Sequence, residues 1–100
     1  MPDKSAIGRL EITLSRELDL LAAEGLKNDL VRLLQQDGDL VIKGDEVERV
    51  STPCIEILVA AAAAFNDGGR GFELQSPSPS LCDSFEAVGL ADRIELWRAS

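Results

Sequence analysis

Leu10, Ile12 and Leu14 alternate with Glu11 and Thr13, the two-residue period of a strand with one covered face. The period then lengthens. Between Leu21 and Gln35, Leu26, Leu30, Leu33 and Leu34 recur at helical spacing with Lys27, Asp29 and Arg32 opposite, which predicts an amphipathic helix. Asp37-Gly38-Asp39 supplies a turn. Leu40-Val41-Ile42 is a short unbroken apolar run suited to a strand covered on both faces, so it is expected at the centre of a sheet. Lys43 to Ser51 is mostly polar and reads as a connection. At Thr52-Pro53 the chain carries a helix start, with Thr52 as N-cap and Pro53 at the first helical position. That helix is predicted to about Asn66. It is apolar nearly all round, with Ile55, Leu58, Val59, Ala62 and Phe65 on one stripe and an unbroken alanine run from Ala60 to Ala64. Gly68-Gly69 ends it, Phe72 and Leu74 flank Glu73 in a third strand, and Ser76-Pro77-Ser78-Pro79 stops that strand. Leu81, Phe85 and Val88 predict a last helix, closed by Gly89, and Ile94-Leu96-Trp97 suits either a short strand or a docked helical turn.

Strands alternating with helices through short connections give an α/β class with an open sheet. At 100 residues the chain is expected to be one domain over 1–100, with its core at about 8–97. Leu58, Phe65, Leu74 and Phe85 are expected to share that core.

Composition narrows the function. The chain carries 10 Lys and Arg against 18 Asp and Glu, a net charge of -8, whereas nucleic-acid binders and anionic membrane surfaces call for a basic footprint. Histidine is absent, which removes Ser-His-Asp and Cys-His nucleophile systems, histidine bases, histidine metal ligands and phosphohistidine transfer through this chain. Cys54 and Cys82 form no C-x-x-C pair and are too few for a zinc site or a disulfide framework, so reduced thiols are expected. Met1-Pro2-Asp3-Lys4-Ser5 does not read as a signal peptide, and the longest apolar run, Ile57 to Phe65, falls far short of the ~20 residues a span needs. A cytoplasmic location is expected, with no metal and no cofactor.

Gly68-Gly69-Arg70-Gly71 has the look of a phosphate loop, but it follows a helix and precedes a strand, the wrong order for cradling phosphate; it reads as a helix C-cap and turn. Asp45, Glu46 and Glu48 carry no cation-loop signature and read as a solvated acidic surface. Cys54, near a helix start, would be a reactive thiol if exposed; a buried small hydrophobe is the plainer role for it and for Cys82. Thr52 combines two roles. Its hydroxyl suits a helix cap, and a phosphate there would face the positive end of the helix dipole.

The run from Leu40-Val41-Ile42 through Val47-Glu48-Arg49-Val50-Ser51-Thr52-Pro53-Cys54-Ile55-Glu56-Ile57-Leu58, Gly71-Phe72-Glu73-Leu74-Gln75-Ser76-Pro77-Ser78, then Leu81, Phe85 and Val88-Gly89-Leu90, resembles a STAS domain, with Glu17-Leu18-Asp19-Leu20 matching before the first helix. These are the sulfate-transporter and anti-sigma-factor-antagonist domains of bacterial regulation. The resemblance implies a single domain with a small mixed sheet of about three to four strands alternating with helices. In that family a strand leads to an Asp, two hydroxyl or small residues and a Gly at the start of the second helix, and a partner kinase phosphorylates a hydroxyl there to weaken a complex. By position, Ser51 stands at the Asp, Thr52 at the first hydroxyl, Pro53 at the second and Cys54 at the Gly. Three of the four depart from the commonest pattern, which leaves Thr52 as the hydroxyl for phosphorylation and binding without phosphorylation as the other reading.

The resemblance therefore implies a non-enzymatic interaction domain with a protein partner and no catalytic residues. Thr52 and Ser51 form the switch; Pro53, Cys54, Glu56, Asp45 and Glu48 form the partner surface. An anti-sigma-factor kinase and a chemotaxis-type histidine kinase are both expected partners. The alternative is a small STAS subunit that binds the ATPase of a bacterial lipid ABC transporter. A small-molecule or nucleotide sensor is a third class, and an enzyme has no constellation to rest on.

Overall fold

The computed structural model describes residues 9–98, so the lead Met1-Pro2-Asp3-Lys4-Ser5 lies outside the described residues. Strand β1 (Arg9–Thr13) half-buries Leu10 and Ile12 and exposes the residues between them, the alternation the pattern predicts. Strand β2 (Glu17–Leu18) leads into helix α1 (Leu20–Leu34), which turns Ala23, Leu26 and Leu30 inward. Asp19 caps this helix: its Oδ1 accepts from the Ala22 amide at 3.0 Å. Strand β3 (Asp39–Lys43) buries Leu40, Val41 and Ile42 together, then β4 (Arg49–Val50) leads into helix α2 (Thr52–Asp67). Strand β5 (Phe72–Gln75) is followed by helices α3 (Pro79–Ala87) and α4 (Ala91–Arg98).

The main sheet has the order β1-β3-β5, with Leu10 beside Leu40 beside Phe72 and Ile12 beside Ile42 beside Leu74. Leu40-Val41-Ile42 is thus central, as its unbroken apolar run requires. The α/β class holds. Where the sequence analysis set a mixed sheet, every strand pair among the described residues is parallel, because α1 separates β1 from β3 and α2 separates β3 from β5. Strand β4, inside the stretch read above as a connection, and β2, to which the periodicity assigned no element, form a second parallel pair in which Glu17 faces Arg49 and Leu18 faces Val50. Two residues per strand are too few to show a period.

One core joins the helices to the sheet and contains Leu58, Phe65, Leu74 and Phe85, as expected. Its aromatic spine runs Phe65–Phe72–Trp97–Phe85, with ring centroids 6.0, 5.1 and 5.6 Å apart. The ambiguous tail resolves as α4: Ile94 and Trp97, three apart, turn inward, while Leu96 is 64% exposed. Val88 is also exposed rather than part of the α3 stripe. The helix ends before it, Gly89 turns the chain at a φ of 80°, and the Leu90 amide returns to Phe85 O at 2.8 Å. Truncating the fully covered Leu58 to alanine should cost about 2–5 kcal/mol in urea denaturation, with the far-ultraviolet spectrum unchanged.

The glycine-rich turn is a helix end, as its order implied: Gly68 follows α2, and its amide bonds back to Ala64 O and Phe65 O. Arg70 within it does more. Its Nε donates to Gly38 O at 2.7 Å, one terminal nitrogen donates to Leu34 O at 2.9 Å, and the other donates to Leu33 O and Gln36 O. These are carbonyls at and just beyond the end of α1, where a helix runs out of amide donors, although Leu33 O also accepts from the Gln36 amide at 3.1 Å. The guanidinium also stacks over Phe65, 4.3 Å from the ring centroid. One side chain therefore ties the end of α1, the β3 approach and the end of α2 together.

Candidate functional site

The turn from β4 into α2 is built by Ser51. Its amide donates to Leu18 O at 2.7 Å, continuing the small ribbon, and its φ and ψ of -85° and 159° are still extended. Its carbonyl accepts the first helical bond, from the Ile55 amide at 3.1 Å, and its Oγ accepts from the Cys54 amide at 3.5 Å. Ser51 is the N-cap. The sequence analysis placed that role on Thr52 because a Thr-Pro pair suits it; the ribbon moves the cap one residue earlier by holding Ser51 in strand geometry. Thr52 becomes the first helical residue and Pro53 the second, a position where the missing N–H leaves no bond unmade. Ser51→Ala should therefore cost stability, toward the low end of about 0.5–2 kcal/mol given the long Oγ contact, while Thr52→Ala should change it by less than about 0.5 kcal/mol. Thermal melts of the two variants check the order.

Freed from capping, Thr52 is exposed, and it heads a continuous exposed stripe on α2 through Glu56, Ala60, Ala63 and Asn66. Pro53 is half-buried beside it. Cys54 does not belong to the surface: it is 0% exposed, and its Sγ sits 3.6 Å from Asp19 O, so it fills the joint between the starts of α1 and α2. An exposed residue cannot take a position whose neighbours are core side chains, and the apolar Ile55 and Leu58 that follow turn the same side of the helix inward. Cys82 is half-buried.

Asp45 and Glu48 are exposed but grouped elsewhere. With Arg16, Glu46 and the start of α3 they line a groove of about 340 Å³ to which α2 contributes no residue. The Arg16 Nε lies 3.6 Å from Glu48 Oε2, an exposed pair of little energetic weight. The floor of this region is Ser78, whose buried hydroxyl donates to Val47 O at 2.6 Å and accepts from the Leu81 amide at 3.1 Å. Ser78 caps α3 and pins the β3–β4 connection; the sequence analysis read it only as part of a strand stop, although Ser-Pro before an apolar residue is the same start signal seen at Thr52-Pro53. Among the described residues, no group of three or more His, Cys, Asp or Glu side chains is placed to hold a metal ion, and no helix is long and apolar enough to cross a membrane.

The structure is thus a parallel α/β sheet with Thr52 exposed on a strand-to-helix turn that Ser51 caps. A family model described as "Mlab, STAS domain" matches residues 5–97, and the chain belongs to the STAS domain family. Membership assigns a regulatory or interaction role. No curated protein matches the chain.

Proposed function

We propose that the chain is a non-enzymatic switch module that binds a cytoplasmic signalling protein, a kinase or a regulator tied to one, through Thr52, Pro53 and Glu56, and that phosphorylation of Thr52 weakens the contact. The observation that carries this reading is the exposed Thr52 hydroxyl, relieved of capping by Ser51 and presented at the first position of α2. Phosphoryl transfer from ATP to its oxygen would leave the fold intact, since the charge would lie at the favourable end of the helix dipole. It would also add nearly two negative charges one turn from Glu56 on a chain at -8. Pro53 supplies no second hydroxyl, so the switch is a single site.

The test is incubation with a purified anti-sigma-type serine/threonine kinase and ATP, with the site read by mass spectrometry. One phosphate on Thr52, retained in Ser51→Ala and lost in Thr52→Ala, is expected. Phosphate on Ser51 alone, or on neither residue, contradicts the switch. The chain's STAS membership leaves a second reading, implied by the resemblance to small STAS subunits, in which the partner is the ATPase of a lipid ABC transporter. In that case the same surface should bind the ATPase with no kinase present.

A further inference from the structure

A phosphate on Thr52 would arrive among acids. The elements packed around the start of α2 present Glu17 from β2, Asp19 from the head of α1, Glu56 from α2 itself, and Asp83 and Glu86 from α3, all of them exposed. Two cations lie on or beside the ribbon. Arg16, just before β2, is 3.6 Å from Glu48 and so already engaged, whereas Arg49 in β4 is exposed and in no ion pair among the described residues. The cations of α1, Lys27 and Arg32, lie about two turns or more from its head. The ribbon fixes the side on which Arg49 stands: Leu18 is buried and Val50 half-buried, so the alternate pair, Glu17 and Arg49, is on the outer side. The backbone around it is pinned, since the Arg49 amide donates to Arg16 O at 3.2 Å and the Ser51 amide to Leu18 O at 2.7 Å. Three residues on from Arg49, Thr52 opens α2, its Cα no more than about 11 Å away, the span of three extended residues. The long arginine stem and a phosphate close that gap between them.

We infer that Arg49 is the receptor of the phosphate on Thr52, and that the switch works by withdrawing this cation from the partner. The inference rests on the proposed role of Thr52 and supplies its mechanism. The kinase forms the bond from Thr52 Oγ1 to the γ-phosphorus of ATP as the bond from that phosphorus to ADP breaks, and the hydroxyl proton leaves to solvent. The product carries nearly two charges and three acceptor oxygens against the single charge of Glu17, so it takes the guanidinium fork in preference to the carboxylate across the ribbon. Free Arg49 meets an acidic group of the partner; the phosphate occupies the cation and repels that group. Both effects have the sign that release requires. A cationic group of the partner at this position would be held more firmly by the added charge, which is the opposite of release.

The experiment places phosphothreonine at residue 52 of the full chain during translation, which needs no kinase, and follows the phosphorus resonance through a pH titration. Glu17, Asp19 and Glu56 push the second ionisation of the phosphate up and Arg49 pulls it down, so Arg49→Gln should raise the midpoint by about half a unit or more. Arg49→Lys should keep part of the wild-type value, and Lys27→Gln, remote on α1, should leave the midpoint unchanged. Equal midpoints in wild type and Arg49→Gln overturn the receptor. Withdrawal of the cation is read with the anti-sigma-type kinase as binding probe, without ATP. Arg49→Gln and Thr52→Glu should each weaken binding at least about tenfold, and the double variant should be no more than about threefold weaker than either, because both substitutions remove the same free cation. Losses that multiply, or no loss with Arg49→Gln, overturn the withdrawal and leave the Thr52 reading standing. No loss with Thr52→Glu contradicts the Thr52 reading and the withdrawal with it, while the receptor stands or falls on the phosphorus titration.

Discussion

Replacing Arg70 with methionine should lower the free energy of unfolding by about 2–4 kcal/mol, far more than a surface arginine is worth. The guanidinium donates to four carbonyls, those of Leu33, Leu34, Gln36 and Gly38, and lies over the Phe65 ring. Methionine keeps much of the apolar contact with Phe65 and removes every hydrogen bond, so the loss reports the bonds. Part of the deficit is recovered by water, because the Gln36 end of the network is exposed, which holds the expected cost below the sum of four charge-assisted bonds. Arg70→Lys should recover less than half of the loss, since an ammonium on a flexible stem cannot span carbonyls that a planar fork reaches together. Urea denaturation followed by the fluorescence of Trp97, the chain's one tryptophan, measures both variants. A change below about 0.5 kcal/mol for Arg70→Met would show that the network does not hold α1 to the sheet.

The second large effect is expected at Phe85, where alanine should cost about 3–5 kcal/mol. Its side chain is fully buried, and its ring meets Trp97 edge-on at 5.6 Å, which in turn meets Phe72 at 5.1 Å. Removing the ring leaves a cavity between α3 and α4 and takes away the surface against which the last helix docks. For a domain of this size, whose whole stability is on the order of 5–15 kcal/mol, that loss should bring the unfolding transition well down in denaturant. Far-ultraviolet circular dichroism is the better probe here, because Trp97 fluorescence changes with its own packing. A midpoint shift close to zero would mean that α4 is held by something other than the aromatic spine.

The long periodic segments were legible in the sequence because their periods are set by burial on one face: β1, α1, β3, α2 and β5 stand where Leu10, Leu26, Leu40, Leu58 and Phe72 put them. What escaped was either too short to carry a period or fixed by distant contacts. The ribbon of β2 and β4 is two residues wide, and it decides that Ser51 rather than Thr52 is the cap. Arg70 looks like a turn residue locally; its partners lie more than thirty residues away, so no local pattern could reveal them. At the candidate site, the exposed hydroxyl of Thr52 was legible from the Thr-Pro start and the family pattern. Cys54 read two ways, as a buried small hydrophobe from its chemistry and as partner surface from the family resemblance, and its 0% exposure beside Ile55 decides for the first. Leu20 and Leu21 stand outside the stripe of Leu26, Leu30, Leu33 and Leu34 on which the helix was read, and both face water.

The central claim is that the surface headed by Thr52 binds a partner and that negative charge there releases it. Calorimetric titration of the purified partner, kinase or ATPase, into wild type, Thr52→Glu and Lys27→Glu tests it most directly. Thr52→Glu should bind at least about tenfold more weakly, a loss of about 1.4 kcal/mol, while Lys27→Glu, further along α1, should lose much less. Equal affinity for wild type and Thr52→Glu would remove Thr52 from the interface and contradict the switch.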